Sequence, residues 1–204
     1  MKKAKKMPIG MKDLYFATLL EDTAGKVASY AAPKLLAGAV SAKLNPNGSI
    51  TPFFSDDGPS AVVTSQGLTE LELGIDALEK AVAAEIFGWR IDKNGVLIEG
   101  DSANQPYIAL GWRSETTDGG YKYVWLYKGK IQPPGEEYQT KGESVEIKSG
   151  SLNASFIKRD SDGEKKITVH SNDEDLKPGV IVDWFTKVYE PDQTIPAPAP
   201  PPSK

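Results

Sequence analysis

The 204-residue chain contains no cysteine, so neither a disulfide nor a thiolate metal site can hold it together, and synthesis in a reducing cytoplasm is expected. It has a single histidine, His170. A histidine-based triad would have to use that residue, yet "ITVHSND" gives it no nucleophile elbow or other catalytic context, and a strand-end role is expected. Glycine-rich phosphate loops of the dinucleotide or P-loop type do not occur. No apolar run is long enough to cross a bilayer. The basic start "MKKAKK" is followed by "MPIGMKDLYFATLLEDT", which lacks the continuous apolar stretch of a secretion signal. Excess positive charge is missing too: a net charge of −4 and a pI near 5.2 argue against a tight nucleic-acid binder. The acidic stretches at Asp56-Asp57 and "NDEDL" (172–176) lack the ligand spacing of a calcium loop. These absences leave no catalytic residue, no metal and no cofactor to assign, and the expectation is a protein without enzymatic activity.

What is present is enough apolar content, 39%, for one well-cored domain. The pattern is mainly β: "DLYFATLL" (13–20), "KLLAGAVSAKL" (34–44) and "TELELGI" (69–75) read as strands. Between the last two, Pro52, Gly58 and Pro59 mark a long excursion without a ladder. "DALEKAVAAEIFG" predicts a helix, with Asp76 and Glu79 as a capping box, Leu78, Val82 and Ile86 as the apolar stripe, and Gly88 as C-cap. Asn94-Gly95 predicts a type I′ hairpin, and Asp118-Gly119-Gly120 a second hairpin. In "ESVEIKSGSLNASFIKR" the apolar parity changes across Ser149 to Ser151, as a β-bulge would require. Ile181, Trp184, Phe185 and Val188 fall at i, i+3, i+4 and i+7 and predict a short C-terminal helix. The chain ends in a polyproline-like "IPAPAPPPSK".

One strand raises a question. "YKYVWLYKGKI" (121–131) puts Tyr121, Tyr123, Trp125 and Tyr127 on one face, while Lys122, Val124, Leu126 and Lys128 form the other, so both faces are apolar at their centres. The aromatic face can pack on one of the chain's own helices, serve as a sugar-binding platform, or form a subunit interface.

Read in order, "IGMKDLYFA", "LNPNGS" with "FFSDDGP", "LTELELGIDAL", "PYIALGWRS", "YKYVWLYKGKI" with "EEYQTK", and "WFTKVY" resemble the major tail protein family of long-tailed bacteriophages, from about Ile9 to Tyr189. The resemblance implies a tail-tube domain over 9–190, preceded by a basic leader (1–8) and followed by a Pro-rich tail (191–204). It implies a β-sandwich-like or barrel-like core flanked by a helix, and assembly of copies into six-membered rings stacked as a hollow tube through which the phage DNA leaves. The implied partners are the chain itself, tape-measure and tail-terminator or distal tail proteins, and passing double-stranded DNA that is not specifically bound. The implied place is the virion tail, assembled in the host cytoplasm without a membrane.

Within that reading the aromatic strand (Tyr121, Tyr123, Trp125, Tyr127) is the candidate inter-subunit contact. Phe53 and Phe54, with Asp56 and Asp57, are candidates for contact between rings, because exposed paired phenylalanines are a liability in a monomer. Glu70 and Glu72, opposite Leu71, Leu73 and Ile75, and Glu146, opposite Val145 and Ile147, are candidates for an acidic lumen; the alternative is an ordinary solvated outer face. From a different class, the competing function is a carbohydrate-binding or adhesion module that uses the aromatic face.

Overall fold

A computed structural model describes residues 6–55, 58–100, 104–135 and 150–191. The chain is mainly β, as its alternating patterns predict. The strands are β1 (Lys12–Glu21), β2 (Ser29–Tyr30), β3 (Lys34–Ala37), β4 (Ala39–Ser55), β5 (Gly58–Ile75), β6 (Arg90–Ile91), β7 (Leu97–Ile98), β8 (Ile108–Glu115), β9 (Tyr121–Gln132), β10 (Gly150–Ile157) and β11 (Lys166–His170), with one helix, α1 (Lys80–Phe87). Nine strands form one antiparallel sheet in the order β2-β1-β8-β9-β10-β5-β4, with β3 also on β1 and β11 also on β9. Because β3 pairs with β1 and β4 with β5, and only Gly38 separates them, one broken strand joins the two ends of the sheet into a barrel-like layer. Asp76 holds the break by accepting a hydrogen bond from Gly38 N at 2.8 Å, and Asp76 N donates to Gly38 O. A Cβ at Gly38 would lie 2.2 Å from the Asp76 carboxylate, so any side chain there would displace the group that holds the break.

Alternation sends Leu14 and Phe16, Leu71 and Leu73, Leu110 and Trp112, Val124 and Leu126, and Leu152 and Phe156 into one inner core. Helix α1 adds Ala83, Ile86 and Phe87 to that core, and Gly88 ends it with a left-handed φ of 73°. Gln105 Nε2 donates to both Ile86 O and Ile131 O, tying the helix end to β9.

Four expectations are corrected. Helix α1 begins after Glu79, which makes no side-chain cap bond, because Asp76 is engaged with Gly38 rather than in a capping box. At 90–98 the hairpin is not type I′: Asn94 has no positive φ, while Gly95 has φ 78° and donates to Asp92 O, a type I turn with a left-handed glycine. The excursion at 49–63 has a ladder partner after all, since β4 and β5 pair from Ala39↔Ile75 to Ser55↔Gly58. Finally, among the described residues no helix follows β11; residues 177–187 form successive turns through bonds such as Val182 N to Gly179 O and Trp184 N to Ile181 O, which run mostly from i+3 to i rather than along an α-helical ladder. The parity change at 149–151 falls mainly outside the described residues. Lys6, Met7 and Pro8 already engage the fold, through Lys6–Asp173 at 2.6 Å, mutual Met7–Thr117 bonds and a Pro8↔Thr116 bridge.

Candidate assembly surfaces

The second face of β9 is covered by the chain itself. Tyr123, Trp125 and Tyr127 are buried in an outer cluster with Ala17 of β1, Ala109 of β8, and Trp184 and Val188 of the terminal segment. Small residues make the room: a Cβ at Gly111 would lie 2.6 Å from the Trp125 ring. Phe185 stacks on Tyr15 with centroids 4.8 Å apart, Trp184 stacks on Tyr189 at 5.4 Å, and Trp125 Nε1 donates to Trp184 O at 3.1 Å. Trp125 and Tyr127 are 0% exposed. The assignment of Tyr123, Trp125 and Tyr127 as inter-subunit contacts is therefore corrected, and no ring platform for a sugar is open there. Tyr121, at the rim, is half-buried and carries Lys12 Nζ and the Arg113 guanidinium over its ring, at 4.7 and 4.9 Å.

A charged clamp fastens this cover. The Arg159 side chain is fully buried, with its guanidinium 3.7 Å above the Tyr127 ring. Its Nη1 donates to both carboxylate oxygens of Glu190 at 2.7 and 2.9 Å, and its other nitrogens pair with Asp162. Burial disfavours the charge of Arg159, but the bonds to Asp162 and Glu190 outweigh it, and the guanidinium stays firmly protonated. Burial likewise pushes the Tyr127 and Tyr30 hydroxyls up, keeping them neutral. Tyr127 O–H donates to Tyr189 O at 2.8 Å.

Beside this cluster, Lys128 Nζ donates to Asp22 and Asp160, each at 2.7 Å. Burial would raise the Asp22 carboxyl, but the Asp160 N–H, the Lys128 ammonium and the Ser161 N–H together hold it down at about 2. Lys128 reaches this face because β9 carries a bulge between its pairings Leu110↔Leu126 and Ile108↔Gly129, after which Gly129 and Ile131 turn inward. Sequence reasoning missed both the clamp and the bulge. The available signal was the Asp- and Gly-rich "RDSDGE" (159–164), a turn composition able to gather bonds around an arginine.

The other flank is wet. Glu70 and Glu72 are exposed on β5, in cross-strand rows Asn45↔Glu70↔Ser155↔Lys130 and Lys43↔Glu72↔Asn153↔Gln132. Lys43 pairs with Glu72 at 3.4 Å, so this polar face carries both signs. Glu146 lies outside the described residues.

Beyond Pro46 the β4–β5 pair leaves the barrel. A register shift between Pro46 and Gly48, and Gly67, whose Cβ would lie 2.5 Å from Asn47 O, mark the departure. Residues 48–55 and 58–66 continue as a two-stranded ribbon roughly 25 Å long. Ile50 and Val62 are 72% and 63% exposed on it. Phe53 and Phe54 pair through the backbone with Ala61 and Pro59 near its far end, while Asp56 and Asp57 lie outside the described residues.

His170 ends β11, and its backbone N donates to Asp173 Oδ2 at 3.2 Å. Among the described residues no group of three or more histidines and carboxylates gathers as a metal site, and no helix is long and apolar enough to cross a membrane. The chain matches no family model, and no curated protein matches it.

Proposed function

We propose that the chain is a structural subunit without catalytic activity, which assembles with copies of itself into hexameric rings stacked as the tail tube of a long-tailed bacteriophage. The observation that carries this reading is the ribbon formed by residues 48–66. An isolated two-stranded hairpin is marginal in water, and this one stands clear of the barrel with Ile50 and Val62 exposed. A second surface that covers it supplies the missing stabilisation, and in a homo-oligomer that surface belongs to another copy. A contact between unlike faces closes into a ring when its rotation closes and otherwise runs on as a filament, so one such contact within a ring and a second between rings would build a tube. The ribbon would then carry the contact between rings, with Phe53 and Phe54 toward its end. Tape-measure and terminator or distal tail proteins would set the ends of the tube, and DNA would pass along it.

Electron microscopy of the purified protein tests this. Tubes or rings are expected from the parent chain. A variant in which 48–66 is replaced by an Asn-Gly turn should keep the barrel's melting temperature yet form no tubes. A parent that stays monomeric at high concentration, or normal tubes from the ribbonless variant, would overturn the reading.

A further inference from the structure

Where β8 finishes and β9 begins, a cavity of about 330 Å³ lies against the inner core. Its floor is apolar: Met11, Leu44, Trp112 and Val124 line it, and all four belong to that core or pack on it. Two ammonium groups border it, from Lys122 of β9 and Lys166 of β11, and no carboxylate stands among the described residues that line it. The Ser114 hydroxyl at its wall already donates to Gly10 O, so the lysines are the donors left for a guest.

Strand geometry explains how the two lysines meet. Alternation puts Lys122 on the inward side with Val124 and Leu126, and the pairing Lys166↔Leu126 sets Lys166 on that same side. Four residues of β9 separate Lys122 from the rung of Lys166, roughly 13 Å along the strand, yet both side chains reach the one cavity. Burial, and after it the Lys122 charge, hold the Lys166 ammonium below the usual lysine range. Lys6, Arg113, Lys128 and Arg159 each have a carboxylate partner. Among the described residues Lys122 and Lys166 have none.

We propose that this cavity binds a small amphipathic carboxylate, its head between Lys122 and Lys166 and its aliphatic chain on Met11, Leu44, Trp112 and Val124. An apolar floor with a few convergent polar groups is the common form of a small-ligand site, and this cavity falls at the small end of that range. A carboxylate accepts a charge-assisted bond at each oxygen, which suits one lysine on either side. An inorganic anion would leave the floor wet, and an uncharged chain would leave the two ammonium groups without a counter-charge. The site belongs to a single subunit, so it does not rest on assembly into rings.

Titration of the full chain with decanoate tests this, followed by amide NMR shifts at concentrations too low for assembly. Saturable shifts are expected at Trp112, Val124 and Lys166. Decanol, with the chain but no charge, and inorganic phosphate, with charge but no chain, should each bind at least about tenfold more weakly. The double variant Lys122→Gln with Lys166→Gln should lose about tenfold in decanoate affinity and keep the affinity for decanol. Should that variant fail to fold, Lys166→Gln alone, at an exposed side chain, should lose at least about threefold. Decanoate that causes no saturable shift, or that binds the folded lysine variants as well as the parent, would overturn the proposal. Decanol or phosphate binding as tightly as decanoate would also overturn it, since the head or the floor would then contribute nothing.

Discussion

At Gly111 the β8 backbone passes so close to the Trp125 ring that an alanine Cβ would lie 2.6 Å from it. Trp125 is fully buried and bonded to Trp184 O, so it has nowhere to retreat. Gly111→Ala should therefore cost about 1 to 3 kcal/mol through overpacking, read as a lower denaturant midpoint with an unchanged slope. Asp22 offers a pH-dependent test of its pairing with Lys128. Its folded-state pKa lies at about 2, below its ordinary value of 3.8, so the stabilisation it brings is complete above pH 4 and disappears as pH falls through 2. The shift corresponds to about 2 kcal/mol. Asp22→Asn should lower stability by a similar amount at pH 7, and the gap between variant and parent should close as the pH falls from 4 to 2. A gap that stays constant over that range would show that the carboxylate charge contributes nothing.

Among the elements, the terminal segment behaves as a lid over the aromatic face of β9. Trp184→Ala removes a side chain 2% exposed and stacked on Tyr189, and should cost roughly 3 to 5 kcal/mol. Binding of a hydrophobic dye should rise with it as Tyr123 and Trp125 become accessible; a variant that melts like the parent would show that the lid is not held by this residue. The i, i+3, i+4, i+7 spacing of Ile181, Trp184, Phe185 and Val188 rightly placed all four toward the core, yet it predicted the wrong local structure. Such spacing reports which residues share a face, and a run of i to i+3 turns satisfies it as well as a helix does. Pro52, Gly58 and Pro59 misled for a related reason. They are poor residues for a central strand, but in a two-stranded ribbon half of the backbone N–H positions face solvent, and a proline is tolerated at such an edge. The β9 bulge was illegible because local alternation continues through Lys128 unbroken; only the pairing with β8 shows where two registers meet. In contrast, the strand of 69–75 with its buried Leu71, Leu73 and Ile75, and the end of α1 at Gly88, depend on local chemistry alone and were readable.

At the scale of the whole molecule, one flank of the barrel would face the axis of the proposed tube. DNA that must move quickly along a channel is held back by lysines and arginines, since each phosphate contact adds affinity, whereas carboxylates leave it free. The covered flank, under the terminal segment, and the wet flank of Glu70 and Glu72 differ in this respect. Among the described residues the wet flank is bare sheet surface; Glu72 faces Lys43 directly, and Ser155 stands between Glu70 and Lys130. The double variant Glu70→Lys with Glu72→Lys changes the charge by two at each position. Both side chains are exposed, so the fold should lose little, about 1 kcal/mol at most from the broken pair with Lys43. If this flank lines the lumen, tubes should still form and DNA ejection from complete virions should slow, most at low ionic strength, where charges act over tens of ångströms. If the flank lies outside, ejection from virions whose tubes contain both lysines should run at the parent rate at every salt concentration, and the lumen must then be lined by another part of the barrel.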